Sequence, residues 1–185
     1  MHSIGFPLYM EMLDRAVAAI KDGKTPNMDL PLREDTEINL RLPALIPEKY
    51  LPDVHSRLVL YKRISNAETS GQLRELQVEM IDRFGLLPEQ TKTLFRVTAL
   101  KLRAEKLGIK KLDAGPEGGK IEFAQSTPVD PFTIVQLIQT EPHRYRLPNA
   151  NQLSFDEQME ASETRFQKVE QLFERLEQKI HGNAH

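Results

Sequence analysis

The chain has 185 residues, of which 39% are hydrophobic and 28% are charged, a composition typical of a folded domain and not of a disordered segment. Its 25 basic and 27 acidic residues give a formal net charge of -2, so no strong overall charge directs it to nucleic acid or to an anionic membrane. It has no cysteine, which excludes disulfides and thiolate zinc sites. It also has no apolar run near about 20 residues and no signal-peptide pattern. We therefore expect a cytoplasmic protein without membrane contact.

The first 35 residues predict a helix and a linker. Residues 1–24 carry apolar residues such as Leu8 and Met12 among helix formers until Gly23 ends the pattern. The pattern begins abruptly, which favours a cut inside a longer polypeptide. Residues 25–35 hold two prolines and no periodicity, which is typical of a linker.

A strand and three helices follow. Alternation predicts the strand over Thr36–Leu42. Asp53 is the predicted N-cap of the first helix. For the second helix, Ser70 is the predicted N-cap and Gly85 is the predicted C-terminal end. The third helix is predicted from just after Pro88 up to residue 108. The apolar residues of the second helix share one face: Leu73, Leu76, Met80 and Phe84.

The opposite face of the second predicted helix is mostly acidic. Glu75, Glu79 and Asp82 follow one another at spacings of four and three, and Arg83 lies one turn after Glu79. One interpretation is a solvated surface with a Glu79–Arg83 pair. The other is a recognition face that engages a basic patch on a partner. The pattern alone does not decide between them.

The rest of the chain changes period and predicts a small sheet with two more helices. Residues 109–124 and residues 145–155 each contain two short runs around a turn, so each predicts a β-hairpin. Between them Asp130 predicts the N-cap of a short helix with Pro131 at its first position. A last helix is predicted over residues 157–180. This order lacks regular βαβ alternation, so we predict an α+β fold with a small, mainly antiparallel sheet covered by helices.

The usual signatures of catalysis and of metal binding are missing from the sequence. The run GPEGGK at Gly115–Lys120 lacks the leading Gly and the Ser or Thr of a phosphate-binding loop, so we interpret it as a hairpin turn. The five histidines form no ligand cluster, and no serine lies in a nucleophile elbow. Carboxylate pairs have the spacing of solvated helix faces. We therefore expect a non-enzyme with no catalytic residue, metal or cofactor of its own.

The region over residues 92–111 is locally basic. Lys92, Arg96 and Arg103 lie closest to a common face of the third predicted helix. A solvated helix surface is one interpretation. Weak contact with the phosphates of nucleic acid is the other interpretation.

The chain resembles the C-terminal region, or TRCF domain, of the bacterial transcription-repair coupling factors, the Mfd family. The resemblance rests on three long strings and covers essentially the whole chain: SIGFPLYMEML, RLPALIPEKYLPDVHSRLVLYKRI and ELQVEMIDRFGLLP. It implies that residues 1–24 are the tail of a helicase-like translocase module. Residues 25–35 are then the linker, and residues 36–185 are the C-terminal regulatory domain.

The resemblance also implies a role. Full-length members are DNA-translocating ATPases that remove stalled RNA polymerase and recruit the excision-repair protein UvrA, with ATP and magnesium bound in the translocase module. Their C-terminal domain clamps the N-terminal UvrB-like module and masks the UvrA-binding surface. The contact uses a Glu, an Asp and an Arg of the motif VExxDRFG, which match Glu79, Asp82 and Arg83. An accessory DNA-binding domain using the basic region 92–111 is the alternative.

Overall fold

The structure is a computed structural model that describes residues 36–182. In this part of the chain lie five helices and five strands, which confirms the predicted α+β class. The helices are α1 (Val54–Asn66), α2 (Ser70–Phe84), α3 (Glu89–Lys106), α4 (Pro131–Thr140) and α5 (Ser162–Gly182). The strands are β1 (Glu37–Asn39), β2 (Ile109–Gly115), β3 (Gly118–Phe123), β4 (Tyr145–Asn149) and β5 (Gln152–Asp156). The predicted N-terminal helix and linker lie outside the described residues.

The described residues divide into two compact units. One is Ala44–Ala99, and the other is Thr36–Pro43 together with the described residues from Leu100 onward. The division falls within α3, and the second unit is discontinuous in sequence. The domain boundaries that the sequence predicts at residues 24 and 35 stay predictions.

In the first unit, polar caps define where α1 and α2 begin. The Asp53 carboxylate accepts from the backbone N–H of Ser56 at 3.0 Å, as predicted. At α2 the cap is Thr69, whose hydroxyl accepts from the N–H of Gln72 at 3.1 Å. Ser70, predicted as the N-cap, is instead the first helical residue, because the neighbouring Thr69 is the one in an extended backbone conformation. The buried side chains of the two helices are Leu60, Ile64, Leu73, Leu76 and Met80.

Tyr50 fixes the C-terminal end of α2. Its hydroxyl lies 3.2 Å from the carbonyl oxygen of Met80 and 2.8 Å from that of Gly85, so it can donate to either. Its ring meets Phe84 edge-on, with the centroids 6.1 Å apart. Gly85 leaves the helix at φ 95, a value that favours glycine. The end of α2 is therefore held by a hydrogen bond, a ring contact and a backbone turn.

The second unit contains one five-stranded sheet in the order β1-β2-β3-β5-β4. β1 pairs with β2 in parallel, and the other pairs are antiparallel. Both predicted hairpins are confirmed. β1 is shorter than the predicted strand Thr36–Leu42, because Arg41 adopts a left-handed conformation at φ 56 and ends it. The register aligns the buried residues Leu112, Ile121 and Leu153 across one face of the sheet.

α4 begins as the sequence predicts, with Asp130 as its cap and Pro131 at its first turn. α5 begins later than predicted, at Ser162. The backbone N–H groups of Glu157 and Met159 are bound instead to the carbonyls of Glu117 and Pro116, at 3.0 and 2.7 Å. These bonds to the β2–β3 turn keep the segment before Ser162 out of the helix.

Candidate functional site

The candidate site is the outward face of α2 in the first unit. Its exposed side chains include Arg74, Glu75, Val78, Ile81, Asp82 and Arg83, and Glu79 is half-buried. The opposite face carries the buried residues of the helix, so the amphipathic pattern leaves this polar side to solvent. The structure therefore places the three predicted interface residues, Glu79, Asp82 and Arg83, on the accessible side of one helix.

Glu79 is the centre of a charged cluster. Arg63 of α1 contacts Glu79 Oε2 through Nη1 and lies 3.0 Å from Oε1 through Nη2, so the pair is bidentate. Arg83 approaches the same carboxylate more weakly, at 3.5 Å. The hydrogen bond from Arg63 is the main cause that lowers the pKa of Glu79 below its usual value of 4.5. Glu79 is thus already paired within the chain.

Arg63 is a site residue that the sequence did not indicate. It lies in the last turn of α1. Its partner is 16 residues away on the next helix. A short helix–helix connection was the one available signal, because it predicts that the two helices lie side by side.

Arg83 is held by two neighbours. Besides its contact with Glu79, its guanidinium lies 4.8 Å from the centroid of the Phe84 ring. Its side chain remains 56% exposed, so it can still donate to a partner. The predicted Glu79–Arg83 pair exists, but Arg63 is the stronger partner of the carboxylate.

Asp82 and Glu75 differ from Glu79. Both side chains are exposed, and neither has an ion-pair partner among residues 36–182. A cleft of about 390 Å³ lies beside Glu75 and Glu79, with Leu76 and Ala67 among its lining residues. The face therefore combines a paired cluster with two open carboxylates.

The three predicted nucleic-acid contacts lie on α3. Lys92 pairs with Glu89 at 3.2 Å. Arg103 makes two hydrogen bonds to Glu177, at 3.0 and 3.2 Å, and lies over the ring of Phe173. Arg96 is half-buried. Because Lys92 and Arg103 have acidic partners, their net attraction for phosphate is reduced. Nucleic-acid contact stays a prediction.

The glycine-rich run of the sequence forms the tight turn between β2 and β3, and the predicted hairpin is confirmed. A Cβ on Gly118 would lie 2.2 Å from the carbonyl oxygen of Phe155, and one on Gly119 would lie 2.6 Å from that of Asp113. These glycines allow the neighbouring strands to approach closely. Packing therefore explains the run without a bound phosphate.

A second cleft, of about 540 Å³, lies in the second unit beside this turn. Arg41 pairs there with Asp113 at 3.2 Å, and Arg146 pairs with Asp156 at 2.7 Å. These charges cancel within the cleft, so it has no strong preference for an anion or a cation.

Neither a metal centre nor a membrane span is present in the described part of the chain. Within residues 36–182, no group of three or more His, Asp or Glu side chains is placed to hold a metal ion. None of the helices described is long and apolar enough to cross a bilayer.

Fold and site together define a small α+β domain whose most distinctive surface is a charged helix face. A family model described as the TRCF domain matches residues 40–134. The chain belongs to the TRCF domain family.

Known proteins agree with this assignment. The chain is 43% identical over 178 residues to the transcription-repair-coupling factor of Escherichia coli, covering 96% of this chain and 16% of that protein. It is 46% identical over 167 residues to that of Haemophilus influenzae, covering 90% of this chain and 15% of that protein. It therefore spans less than a fifth of the length of these relatives.

A solved structure supports the fold. The crystal structure of the C-terminal domain of a transcription-repair coupling factor superposes with a TM-score of 0.67 at 20% identity, covering 82% of this chain and 96% of that one. At this identity the likeness bears on the fold alone.

Proposed function

We propose that this chain is the non-catalytic C-terminal regulatory domain of a bacterial transcription-repair coupling factor, a DNA-translocating ATPase. In this proposal, α2 clamps the N-terminal UvrB-like module of the same polypeptide and masks the surface to which UvrA binds. Engagement of a stalled RNA polymerase by the full-length protein releases the clamp. ATP, magnesium and DNA are bound by the translocase module and not by this chain.

The observation that carries the proposal is the open carboxylate of Asp82. It is exposed on α2 and has no ion-pair partner among the described residues. An arginine of a partner can reach it without first breaking a bond inside this domain. Membership of the TRCF domain family supports the UvrB-like module as that partner.

Glu79 and Arg83 have different roles in this proposal. Glu79 is bound by Arg63 and contacted by Arg83, so this cluster of three side chains carries a net positive charge. Asp82 and Glu75 supply negative charge beside it. Asp82 accepts from arginines of the UvrB-like module, Arg83 donates to an acid, and Glu79 holds both arginines of the cluster in place.

The contact is modest in strength. A clamp that opens must have closed and open states of similar free energy. Exposed ion pairs suit this requirement, because each contributes little and is weakened by salt. The loss of one pair then shifts the closed-to-open ratio measurably.

The test is the affinity of the full-length protein for UvrA. Asp82→Ala and Glu79→Ala are compared with wild type and with Glu174→Ala, which removes an exposed carboxylate from α5. We expect both α2 variants to bind UvrA more tightly, and the control to behave as wild type. Unchanged affinity in both α2 variants excludes these residues from the clamp.

A further inference from the structure

The outward face of α2 carries a line of three exposed side chains. Glu75, Val78 and Asp82 occupy positions i, i+3 and i+7, which lie above one another on a helix. Seven residues at about 1.5 Å each separate the two carboxylates by about 10 Å along the axis. This spacing is typical of helices that present anchor residues to a partner.

Val78 is the unexpected member of this line. It is 54% exposed, and the neighbouring Ile81 is 39% exposed. A single exposed apolar residue is ordinary on a protein surface. Here, however, the β-branched side chain of Val78 lies between two carboxylates that have no ion-pair partner within residues 36–182. Its few rotamers also make it inexpensive to order on binding.

The charges along this line define the partner. Arg63 and Arg83 are both engaged with Glu79. The exposed Arg74 makes no ion pair with Glu75 or Asp82 in the described part of the chain, so the cations that complement these two carboxylates come from another surface. A nucleic acid is disfavoured, because phosphates repel both carboxylates. A basic protein surface is therefore the occupant that fits.

We infer that the partner binds along Glu75, Val78 and Asp82. Its two cationic side chains lie about 10 Å apart, and an apolar group between them covers Val78. This inference rests on the proposed clamp and deepens it. Glu75 and Val78, the first residue of the motif, become recognition residues beside Glu79, Asp82 and Arg83. The contact has an apolar centre and a charged rim, as protein interfaces commonly do.

The apolar centre has a measurable consequence. Attraction between exposed charges falls as salt screens it, whereas the burial of an apolar side chain does not. The contributions of Glu75 and Asp82 must therefore shrink at high ionic strength, and that of Val78 must persist. In a purely polar contact, all of the contributions would shrink together as salt rises.

The experiment uses the full-length protein and measures its affinity for UvrA at low and at physiological salt. The variants are Glu75→Gln, Asp82→Asn and Val78→Ser. The matched controls are Glu174→Gln, at an exposed carboxylate on α5, and Val59→Ser, at a valine of α1 that is 42% exposed. All of these side chains lie on the surface, and a thermal unfolding midpoint for each variant checks that folding is retained.

We expect Glu75→Gln and Asp82→Asn each to tighten UvrA binding about twofold to fivefold at low salt and less at physiological salt. Val78→Ser is expected to tighten it about fivefold at both salt concentrations. The controls are expected to match wild type.

Two failures can be told apart. If Asp82→Asn tightens UvrA binding while Glu75→Gln and Val78→Ser behave as their controls do, the inference is wrong and the clamp stands. If all the α2 variants behave as wild type, the clamp and the inference are both wrong. Sedimentation velocity of the 185-residue chain tests one more outcome. If the chain self-associates and Glu75→Gln removes that self-association, this face binds a second copy of the chain, and the inference is wrong.

Discussion

Arg63 and Glu79 belong to different helices, and the guanidinium of one meets the carboxylate of the other through two contacts. Their side chains are 42% and 37% exposed, so solvent screens the pair. The main effect of the pair is geometric, because it links α1 to α2, which carries the candidate interface. Arg83 contacts the same carboxylate.

This pair makes stability depend on pH. Arg63 lowers the pKa of Glu79 in the folded chain. The contribution of the pair to folding stability is therefore present above the ordinary glutamate pKa of 4.5, and it is lost as pH falls through the lowered pKa. We expect Arg63→Gln to be less stable than wild type at neutral pH and to approach it in acid. Urea unfolding of both proteins from about pH 7 to about pH 3 measures this. Glu174→Gln is the control, and a stability difference that is constant with pH would contradict the assignment.

Arg165 is a buried cation held by backbone carbonyls. It is 3% exposed, and it donates to the carbonyls of Met159, Leu40 and Glu160 at 3.0, 2.7 and 3.1 Å. We expect Arg165→Met to lower the free energy of unfolding by about 2 to 4 kcal/mol, because it leaves buried carbonyls without donors. Denaturant unfolding measures the change. The exposed Arg146→Met is the control, and equal effects of the two substitutions would show that the carbonyl contacts contribute little.

Thr133 carries a buried hydroxyl with no hydrogen-bond partner among the described residues. Valine has the same shape without the polar group, so Thr133→Val should raise the free energy of unfolding by about 1 kcal/mol. Thr98 is the matched control, because it is also buried but donates to the Leu94 carbonyl at 2.7 Å. Thr98→Val should therefore not stabilise. Thermal unfolding compares the two, and a loss of stability in both would show that the Thr133 hydroxyl is satisfied.

Two glycines should respond to alanine with opposite signs. Gly118 has φ 147, and an added Cβ would lie 2.2 Å from a backbone oxygen of β5, so Gly118→Ala should cost about 2 kcal/mol or more. Gly71 lies in the first turn of α2, where a Cβ would meet only the Thr69 hydroxyl at 3.7 Å. Gly71→Ala should stabilise by about 0.5 kcal/mol. A pair of unfolding curves decides, and a tolerated Gly118→Ala would mean that the β2–β3 turn can shift.

Local patterns were enough to predict much of this fold. The caps at Asp53 and Asp130, the face of α2 and both hairpins depend on residues that are near one another in sequence. The α+β class followed from their order.

Contacts between distant residues were not predictable in this way. The parallel pairing of Ile38 with Leu112 and the bond from Arg165 to Leu40 join segments far apart in sequence, and neither leaves a local pattern. The candidate site shows the same division. Its acidic face is a helical repeat, whereas the pairing of Glu79 with Arg63 depends on how two helices pack. The sequence therefore grouped Glu79 with Asp82, although only Asp82 is open to a partner.

The second unit is built from two separate segments of the sequence, and this affects how the chain folds during synthesis and where it can be cut into fragments. β1 and Leu40 leave the ribosome long before β2, and Leu40 meets Arg165 only 125 residues later. In the nascent chain, β1 and Leu40 therefore lack β2 and Arg165 while α1, α2 and α3 are synthesised. This favours slow, late completion of the sheet. A fragment that starts at Leu100 would lack an edge strand and one carbonyl partner of Arg165, and it should be prone to pairing through the exposed edge of β2.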